Sequence, residues 1–377
     1  MKVGIITDSI SEHISGVGRY SKNILKSFAS SEHEIVSIDW RNKEDLLKIL
    51  EADFSNNVVV ANVFPFFKNL LWHFFLLLKL KRSYRVFDVI LDCSQFLHIF
   101  GKPYRPYIYV VHDLSFFKFP ECHRRGKYLL FRFFFKKTID KADHIVCVSN
   151  YTRNTLLHYF PNYIEKTSVI YEAAEDRFKP IYNTKKLNNI ADKYNLEDKF
   201  FLFVGTIEPR KNLENVFRAY HKFKNEISFP LYIVGKIGWR TDNLLKLHKE
   251  LNLDGKIRML GYIPDADLPA LYNLATAFVY ISIDEGFGLP LLEAMQCGTP
   301  SIVSNAGSLP EIAGDAALIV DPNSVDHIGK ALQRLSVDKQ LKDTLIKKGL
   351  LRSSNFRWQK TVSELSMLFF ELTQKYR

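Results

Sequence analysis

The chain has 377 residues, of which 47% are hydrophobic, 25% charged and 14% aromatic, and its formal net charge is +11. This balance excludes a disordered chain, and the length exceeds the size at which a single core usually stops growing, so two domains are expected. The positive charge suits nucleotide phosphates, an anionic membrane surface or nucleic acid. No zinc finger or RNA-recognition motif indicates nucleic acid.

The N-terminal segment and the cysteines indicate a cytoplasmic protein. Met1–Asp8 lacks the apolar region and the cleavage site of a signal peptide. Leu70–Leu78 comes nearest to a membrane span, but it contains His73 and is far too short to cross a bilayer. The four cysteines form neither a CxxC pair nor a disulfide framework, so reduced thiols are expected.

Short apolar runs alternate along the chain with stretches of helical period, which is typical of repeated βαβ units. The predicted strands of the first half are Lys2–Asp8, Glu34–Trp40, Asn57–Val63, Phe87–Asp92, Tyr107–His112, His144–Val148 and Ser168–Tyr171. Those of the second half are Phe200–Gly205, Leu231–Gly235, Ile257–Leu260, Ala277–Ile283, Ser301–Ser304 and Ala317–Val320. The predicted helices between the latter include Asn212–Asn225, Asp242–Leu251 and Asp267–Leu274.

Two similar halves predict an α/β protein with two doubly wound domains facing one another across a cleft, where such folds bind ligands. The junction is expected within Ala174–Asn195, which is rich in Lys, Asn and Asp. The predicted domains are 1–178 and 179–357. A final helix over 358–377 is expected to pack back on the first domain.

The strongest motif runs from Glu285 to Met295, after an apolar strand and directly into a helical pattern. Its glycines allow close backbone approach, and Pro290 suits a first helical turn. Amides at a helix N-terminus can bind a pyrophosphate, while Glu285 and Glu293 can hold different parts of one ligand. Alternatively, Glu285 only complements the helix dipole and Glu293 is a solvated surface residue.

A second motif, from Gly205 to Asn212, also lies at the end of an apolar strand and contains Arg210 and Lys211. Adjacent cations at the beginning of a helix are unfavourable for the helix dipole, and an anion bound between them would remove the conflict. A solvated basic turn is the alternative. It explains neither the placement of the cations nor the neighbouring proline and glycine.

These motifs resemble glycosyltransferase family 4. The match is specific in the second half, where G-T-x-x-P-R-K-N is followed by E-x7-E and by the segment Ser304 to Glu311. It is looser in the first half, where it depends on Gly16 to Tyr20 and on the pair at 112–113. The resemblance implies the GT-B fold with two Rossmann-like domains and retention of anomeric configuration. It also implies that the C-terminal domain holds the nucleotide sugar and the N-terminal domain the acceptor.

By this resemblance, Arg210 and Lys211 grip the donor diphosphate and stabilise the charge on the leaving nucleotide. Glu293 binds the ribose, and Glu285 holds hydroxyls of the donor sugar. The other implied site residues are Gly16, Gly18, Gly205, His112, Phe287, Gly288 and Leu289. Phe287, Gly288 and Leu289 would act through their backbone amides.

In the first half, Gly16 and Gly18 are expected in a glycine loop before a helix that begins near Arg19. A dinucleotide-binding loop is the alternative, but Ser21 occupies its third glycine position. By the family resemblance, His112 is expected to contact the donor sugar, and the alternative is a structural histidine at a strand end.

Two polar segments have structural explanations as well as functional ones. Asp113 follows His112, and its alternative interpretation is a structural role. The stretch Ser149 to Thr152 also matches the family, although an N-cap explains Ser149 at least as well.

Asp265 and Asp267 resemble a DxD metal motif, but helix capping explains them, and basic residues neutralise the phosphates. No metal and no cofactor is therefore expected. No carboxylate nucleophile can be identified with certainty, so same-face attack within an ion pair is favoured over a covalent intermediate.

Two segments of the first half, Phe64–Arg85 and Phe116–Lys137, combine many cations with many aromatic residues. Such stretches favour an anionic membrane surface, and the alternative is two core helices with solvated ends. A peripheral protein on the inner face of the cell membrane, acting on a glycan or lipid-linked glycan, is therefore predicted.

The predicted activity is retaining transfer of a hexosyl group from a nucleotide-diphosphate sugar. The P-R-K-N form and the strand end at 111–113 are most similar to mannosyltransferases of polysaccharide and lipopolysaccharide assembly, so GDP-mannose is the expected donor. Lys236, Tyr262 and Ile263 are expected near its base. The alternatives are a sugar-nucleotide epimerase, a non-catalytic nucleotide-sugar or carbohydrate-binding protein, and a nicotinamide-dependent oxidoreductase.

Overall fold

The computed structural model describes residues 1–10, 16–29, 31–39, 58–62, 87–95, 106–123 and 125–375, without the side chains of 58–62, 125 and 127. The chain forms two compact units. The N-terminal unit comprises Met1–Glu172 with Arg357–Arg377, and the C-terminal unit comprises Ala173–Phe356. Each unit is an α/β domain built on a parallel sheet, as the alternating pattern predicted.

The N-terminal unit contains a seven-stranded sheet. Its strands are β1 Lys2–Ile6, β2 Glu34–Asp39, β3 Val58–Asn62, β4 Val89–Asp92, β5 Tyr107–Val111, β6 His144–Cys147 and β7 Thr167–Val169. Their order is β3-β2-β1-β4-β5-β6-β7. The described helices up to β7 are α1 Gly16–Phe28, α2 Ser115–Lys118, α3 Arg125–Ile139 and α4 Asn150–Tyr159. Every residue of β5 is buried, which confirms the prediction of a strand covered on both faces.

The C-terminal unit contains a six-stranded sheet. Its strands are β8 Phe201–Val204, β9 Leu231–Val234, β10 Ile257–Gly261, β11 Ala277–Tyr280, β12 Ser301–Ser304 and β13 Leu318–Val320, in the order β10-β9-β8-β11-β12-β13. Its helices are α5 Thr184–Tyr194, α6 Leu213–Lys222, α7 Asp242–Glu250, α8 Leu268–Leu274, α9 Leu289–Gln296, α10 Leu309–Ala313, α11 Val325–Val337 and α12 Lys339–Ser353. The strand order reverses between β8 and β11, and ligands of such sheets bind at the carboxyl ends of the strands beside that reversal.

The boundary between the units lies before the stretch in which the sequence placed it. Residues 174–195 were expected to contain the junction, but α5 lies within them and belongs to the C-terminal unit. Helix α5 packs against α8 of this unit, where Lys193 Nζ and Tyr194 Oη both donate to Asp267, at 2.7 and 2.6 Å. The spacing of these residues along the chain does not predict these hydrogen bonds.

The last helix, α13 (Trp358–Lys375), belongs to the N-terminal unit. Phe369 stacks on Phe28 of α1 with ring centroids 5.6 Å apart, and Thr361 Oγ1 donates to the Tyr171 carbonyl at 2.8 Å. The chain therefore returns to its first unit after completing the second.

Within the described ranges, no helix is long and apolar enough to cross a membrane. The segment 70–78, with its histidine, lies outside the described residues. All four cysteines are unpaired and buried, in agreement with the expectation of reduced thiols.

Candidate active site

Two loops at the strand-order reversal of the C-terminal unit bring together the charged residues that the sequence singled out. Residues 205–212 follow β8 and residues 281–288 follow β11. The Ile283 amide donates to the Arg210 carbonyl at 2.9 Å and ties the loops to each other. Arg210 and Lys211 lie in a 3-10 turn, Pro209–Lys211, and Asn212 with a φ of 55° separates this turn from α6. The cations therefore precede the helix, whereas the sequence placed them at its beginning.

Arg210 is held by three acceptors from these loops. Its Nη2 and Nε donate to Glu208 Oε1 at 3.0 and 3.3 Å. Its Nη1 donates to the Asp284 carbonyl at 2.8 Å and to Glu285 Oε2 at 3.3 Å. The guanidinium plane is thus fixed at both edges.

Lys211 and Glu285 form a buried ion pair. Lys211 Nζ donates to Glu285 Oε1 at 2.5 Å and to Tyr280 Oη at 2.7 Å, and each of these three side chains is less than 10% exposed. Burial opposes the ionisation of Glu285, but the charges of Lys211 and Arg210 outweigh it and lower its pKa from 4.5 to about 2. Glu285 is therefore a carboxylate at neutral pH and accepts hydrogen bonds rather than donating a proton.

These contacts correct one expectation about charge. The sequence suggested that a bound anion removes the repulsion between Arg210 and Lys211, but two buried carboxylates of the protein, Glu208 and Glu285, already do so. Glu208 and Tyr280 were not identified from the sequence. Glu208 carried a usable signal, because it lies two residues before Arg210 in the same motif.

Gly307 and Ser308 contact the backbone of the loop that carries Glu285. The Ser308 amide donates to the Glu285 carbonyl at 3.0 Å, and Ser308 Oγ donates to the Phe287 carbonyl at 2.7 Å. Gly307 has a φ of +65°, and a Cβ there would lie 2.5 Å from the Glu285 nitrogen. The sequence matched this segment to the family pattern without assigning these two residues to the site.

Helix α9 begins where the two loops meet. Gly288, with a φ of +104°, is its N-cap, and Pro290 lies in the first turn, as predicted. The Phe287 side chain is buried and packs edge-on against Phe356, with centroids 5.8 Å apart. The first amides of a helix have no intrahelical acceptor, so the backbone around Leu289 is suited to bind an anion.

Glu293 lies inside α9 and is only 3% exposed. Its Oε2 accepts a hydrogen bond from Tyr272 Oη at 2.9 Å. The alternative of a solvated surface residue is therefore wrong. A buried carboxylate oriented by a tyrosine is well placed to accept hydrogen bonds from two neighbouring hydroxyls of one sugar.

His112 follows β5 in the N-terminal unit and is 7% exposed. One ring nitrogen, Nδ1, lies 3.1 Å from Glu172 Oε1, and the other, Nε2, lies 2.9 Å from the Cys93 carbonyl. The ring of Tyr20 packs edge-on against it, with centroids 4.8 Å apart. Both ring nitrogens are thus engaged within the unit, and the sequence did not identify Glu172 as a partner.

Gly16 and Gly18 form the first turn of α1 rather than a loop before it. The helix begins three positions before Arg19, where the sequence placed its start. Gly18 is buried, whereas a Cβ at Gly16 would meet nothing within 4 Å. A glycine loop is therefore not observed at this position.

The structural explanations for Asp113 and Ser149 hold. Asp113 Oδ1 accepts from the amide and the hydroxyl of Ser115, at 3.1 and 2.8 Å. Ser149 Oγ accepts from the Thr152 amide at 3.0 Å and caps α4.

The DxD pair is explained by salt bridges and not by capping. Asp267 makes no side-chain capping bond to α8 and accepts instead from α5, while Asp265 Oδ2 lies 3.4 Å from Arg177 Nη2. Among the described residues, no group of three or more His, Cys, Asp or Glu side chains could hold a metal ion.

Comparison with known proteins gives consistent matches in both units. The family model for glycosyl transferases group 1 matches residues 186–352, and the model for Glycosyltransferase Family 4 matches residues 14–175. The O-antigen chain mannosyltransferase B of Escherichia coli is 30% identical over 97% of this chain and 98% of that protein. The O-antigen chain mannosyltransferase RfbU of Salmonella typhimurium is 31% identical over 62% of this chain and 61% of that protein.

A solved structure has the same fold along nearly the whole chain. The Anabaena protein Alr3699/HepE, in complex with UDP and glucose, superposes with a TM-score of 0.77 at 18% identity. The superposition covers 99% of this chain and 100% of that one.

Proposed function

The chain belongs to glycosyltransferase family 4 and has the GT-B fold, and we propose that it transfers mannose from GDP-mannose to a glycan or lipid-linked glycan with retention of configuration. Family membership sets aside the epimerase and the oxidoreductase. The observation that carries the proposal is the arrangement of Arg210, Lys211 and Glu285 beside the N-terminus of α9, with Glu293 inside that helix. Cations, helix amides and an oriented carboxylate are the groups that a nucleotide diphosphate requires.

In this proposal, Arg210 and Lys211 stabilise the negative charge that develops on the leaving diphosphate. Glu293 accepts from the ribose hydroxyls, and the amides at Gly288 and Leu289 contact phosphate oxygens. Glu285, whose pKa is about 2, accepts from hydroxyls of the donor sugar. Because two cations stabilise its negative charge, Glu285 is a weak nucleophile, which favours same-face attack over a covalent intermediate.

Mannose is proposed because two relatives are O-antigen chain mannosyltransferases. The proposed contact for the base is the pair formed by Lys236 and Tyr262, which follow β9 and β10. Lys236 Nζ lies 5.3 Å from the centroid of the Tyr262 ring, and Tyr262 is 50% exposed. Ile263 is 2% exposed and is left out of this contact. Neutralisation of the phosphates by basic residues is proposed to make a metal ion unnecessary.

The donor site is tested by thermal unfolding in the presence of nucleoside diphosphates and nucleotide sugars. We expect one nucleotide and its sugar to stabilise the wild type selectively. A ligand present at a hundredfold excess over its Kd raises the free energy of unfolding by about 2.7 kcal/mol. Glu293→Ala and Arg210→Ala each remove a proposed donor contact and should lose the shift.

We further propose that α3 rests on an anionic membrane surface and brings the N-terminal unit to a lipid-linked acceptor. One face of the helix is core, as the alternative expected, since Phe131, Phe135 and Ile139 are buried. The opposite face exposes 48% of Leu129 and 67% of Phe133. The exposed side chains beside them are Arg132, Lys136, Lys137 and Asp140, whose Oδ2 pairs with Lys136 Nζ at 3.1 Å. The companion segment 64–85 lies outside the described residues.

The membrane proposal predicts that the wild type floats with anionic liposomes at low salt. Insertion of an aromatic side chain contributes roughly 1.5–3 kcal/mol, so Phe133→Ser should lower the partition coefficient about tenfold or more. Phe370→Ser is the matched control, because Phe370 is 57% exposed on α13 and should leave flotation unchanged. Recovery of all wild-type protein in the soluble fraction would contradict the proposal.

A further inference from the structure

All three nitrogens of the Arg210 guanidinium are engaged within the C-terminal unit. Nε and Nη2 bond to Glu208, and Nη1 bonds to the Asp284 carbonyl and to Glu285. A guanidinium has five N–H donors, and a phosphate can take a bidentate pair of hydrogen bonds from two nitrogens of Arg210 only by replacing at least one of these acceptors. Which acceptor yields decides how the site receives a diphosphate.

The three acceptors differ in how firmly they are held. The Asp284 carbonyl is part of the backbone of a buried loop. Glu285 is bonded to Lys211 at 2.5 Å and is fixed by that second cation. Within the described part of the chain, the Glu208 carboxylate bonds to Arg210 alone. Glu208 is thus the acceptor that can leave by a side-chain rotation.

The formal charges around Arg210 also indicate that Glu208 is the acceptor that a phosphate replaces. The cations Arg210 and Lys211 face the carboxylates Glu208 and Glu285, so the formal charges of the four side chains cancel. A neutral group attracts a diphosphate weakly. When the Glu208 carboxylate turns away, one positive charge is uncovered at the position where the proposed phosphates bind.

We propose that Glu208 is an internal counter-ion that competes with the donor diphosphate for Arg210. This inference depends on the proposed donor site. Glu208 neutralises and orients Arg210, and the diphosphate replaces it. The same competition speeds release of the nucleoside diphosphate after transfer, since Glu208 recaptures Arg210.

The variant that tests this is Glu208→Gln, measured by calorimetric titration of the full chain with GDP and with UDP. Glutamine keeps the shape and an acceptor oxygen for Arg210 but removes the competing charge. We expect the Kd of the nucleotide that binds to fall about fivefold to tenfold, with a steeper dependence on salt. If Glu208 served only to position Arg210, the same substitution would leave the Kd unchanged or raise it.

Two controls separate charge from structure. Glu175→Gln removes a carboxylate two residues before an arginine in the same unit, since Arg177 Nη2 donates to Glu175 Oε1 at 2.8 Å, and it should leave the Kd unchanged. Glu208→Asp keeps the competing charge beside Arg210 and should tighten binding less than Glu208→Gln does. Equal tightening by the two variants, or no tightening by Glu208→Gln, would overturn the inference. If the wild type binds neither nucleotide, the proposed donor site itself is wrong.

Discussion

Replacing Lys211 with methionine is expected to lower the free energy of unfolding by about 3 kcal/mol and kcat/KM by about 10²–10³. Methionine has a similar length and fills the space, but it leaves Glu285 as a buried carboxylate. Arg210 Nη1 still contacts Glu285 at 3.3 Å, so the loss should lie at the low end of the range for breaking a buried ion pair. Denaturant titration at neutral pH and a transfer assay measure the two effects.

The pH dependence of the free energy of unfolding tests whether the unpaired Glu285 carboxylate destabilises Lys211→Met. Because the pKa of Glu285 is lowered to about 2 from 4.5, its ionisation stabilises the fold above pH 4.5, and this stabilisation is lost as the pH falls toward 2. The difference between wild type and Lys211→Met should shrink over that interval.

Lys193→Met is the matched control for Lys211→Met. Lys193 also pairs with a carboxylate of the same unit, Asp267, at 2.7 Å, but its side chain is 53% exposed. The exposed pair should contribute little. Equal losses in the two variants would contradict a special role for the buried pair.

Gly307→Ala is expected to lower kcat/KM by about 10²-fold or more, since displacing a catalytic group by about 1 Å is enough for such a loss. A Cβ at this position would lie 2.5 Å from the nitrogen and 2.8 Å from the oxygen of Glu285. Backbone atoms cannot rotate out of the way as a side-chain end can. The Glu285 backbone and residue 307 must therefore move apart. Steady-state kinetics with the donor concentration varied would measure the effect.

Gly314→Ala separates this clash from the cost of the backbone conformation. Gly314 also has a positive φ, +56°, with a ψ of −125°, but a Cβ there would lie 3.4 Å from the flexible Arg352 side chain. Both variants should lose at least roughly 1–2 kcal/mol of stability, because residues other than glycine rarely adopt a positive φ. Only Gly307→Ala should lose activity, and comparable activity in the two would disprove the role assigned to Gly307.

The sequence predicted most of the architecture because the governing signals are local. An uncharged run of β-branched and aromatic residues such as Tyr107–Val111 favours a strand buried on both faces. A glycine followed by Leu-Pro after a strand predicts the cap at Gly288 and the beginning of α9. The same local signals placed Arg210 and Glu285 after predicted strands, and Glu293 in the helix that follows Glu285.

The partners of these residues could not be predicted, because they depend on tertiary contacts. Lys211 meets Tyr280 and Glu285 across 69 and 74 positions of sequence, and no spacing rule connects them. The local sequence is the same whether the two cations are paired with buried carboxylates of the protein or are available to a phosphate. For the same reason, Glu172 was not identified as the partner of His112.

Thermal unfolding with GDP, UDP, GDP-mannose and UDP-glucose tests the proposed donor site most directly. The variants are Glu293→Ala and, as control, Glu226→Ala, which changes an exposed carboxylate of the same unit. We predict that GDP and GDP-mannose stabilise the wild type and the control, and that Glu293→Ala loses the shift. No shift with any nucleotide, or an undiminished shift in Glu293→Ala, would contradict a nucleotide-sugar site at α9.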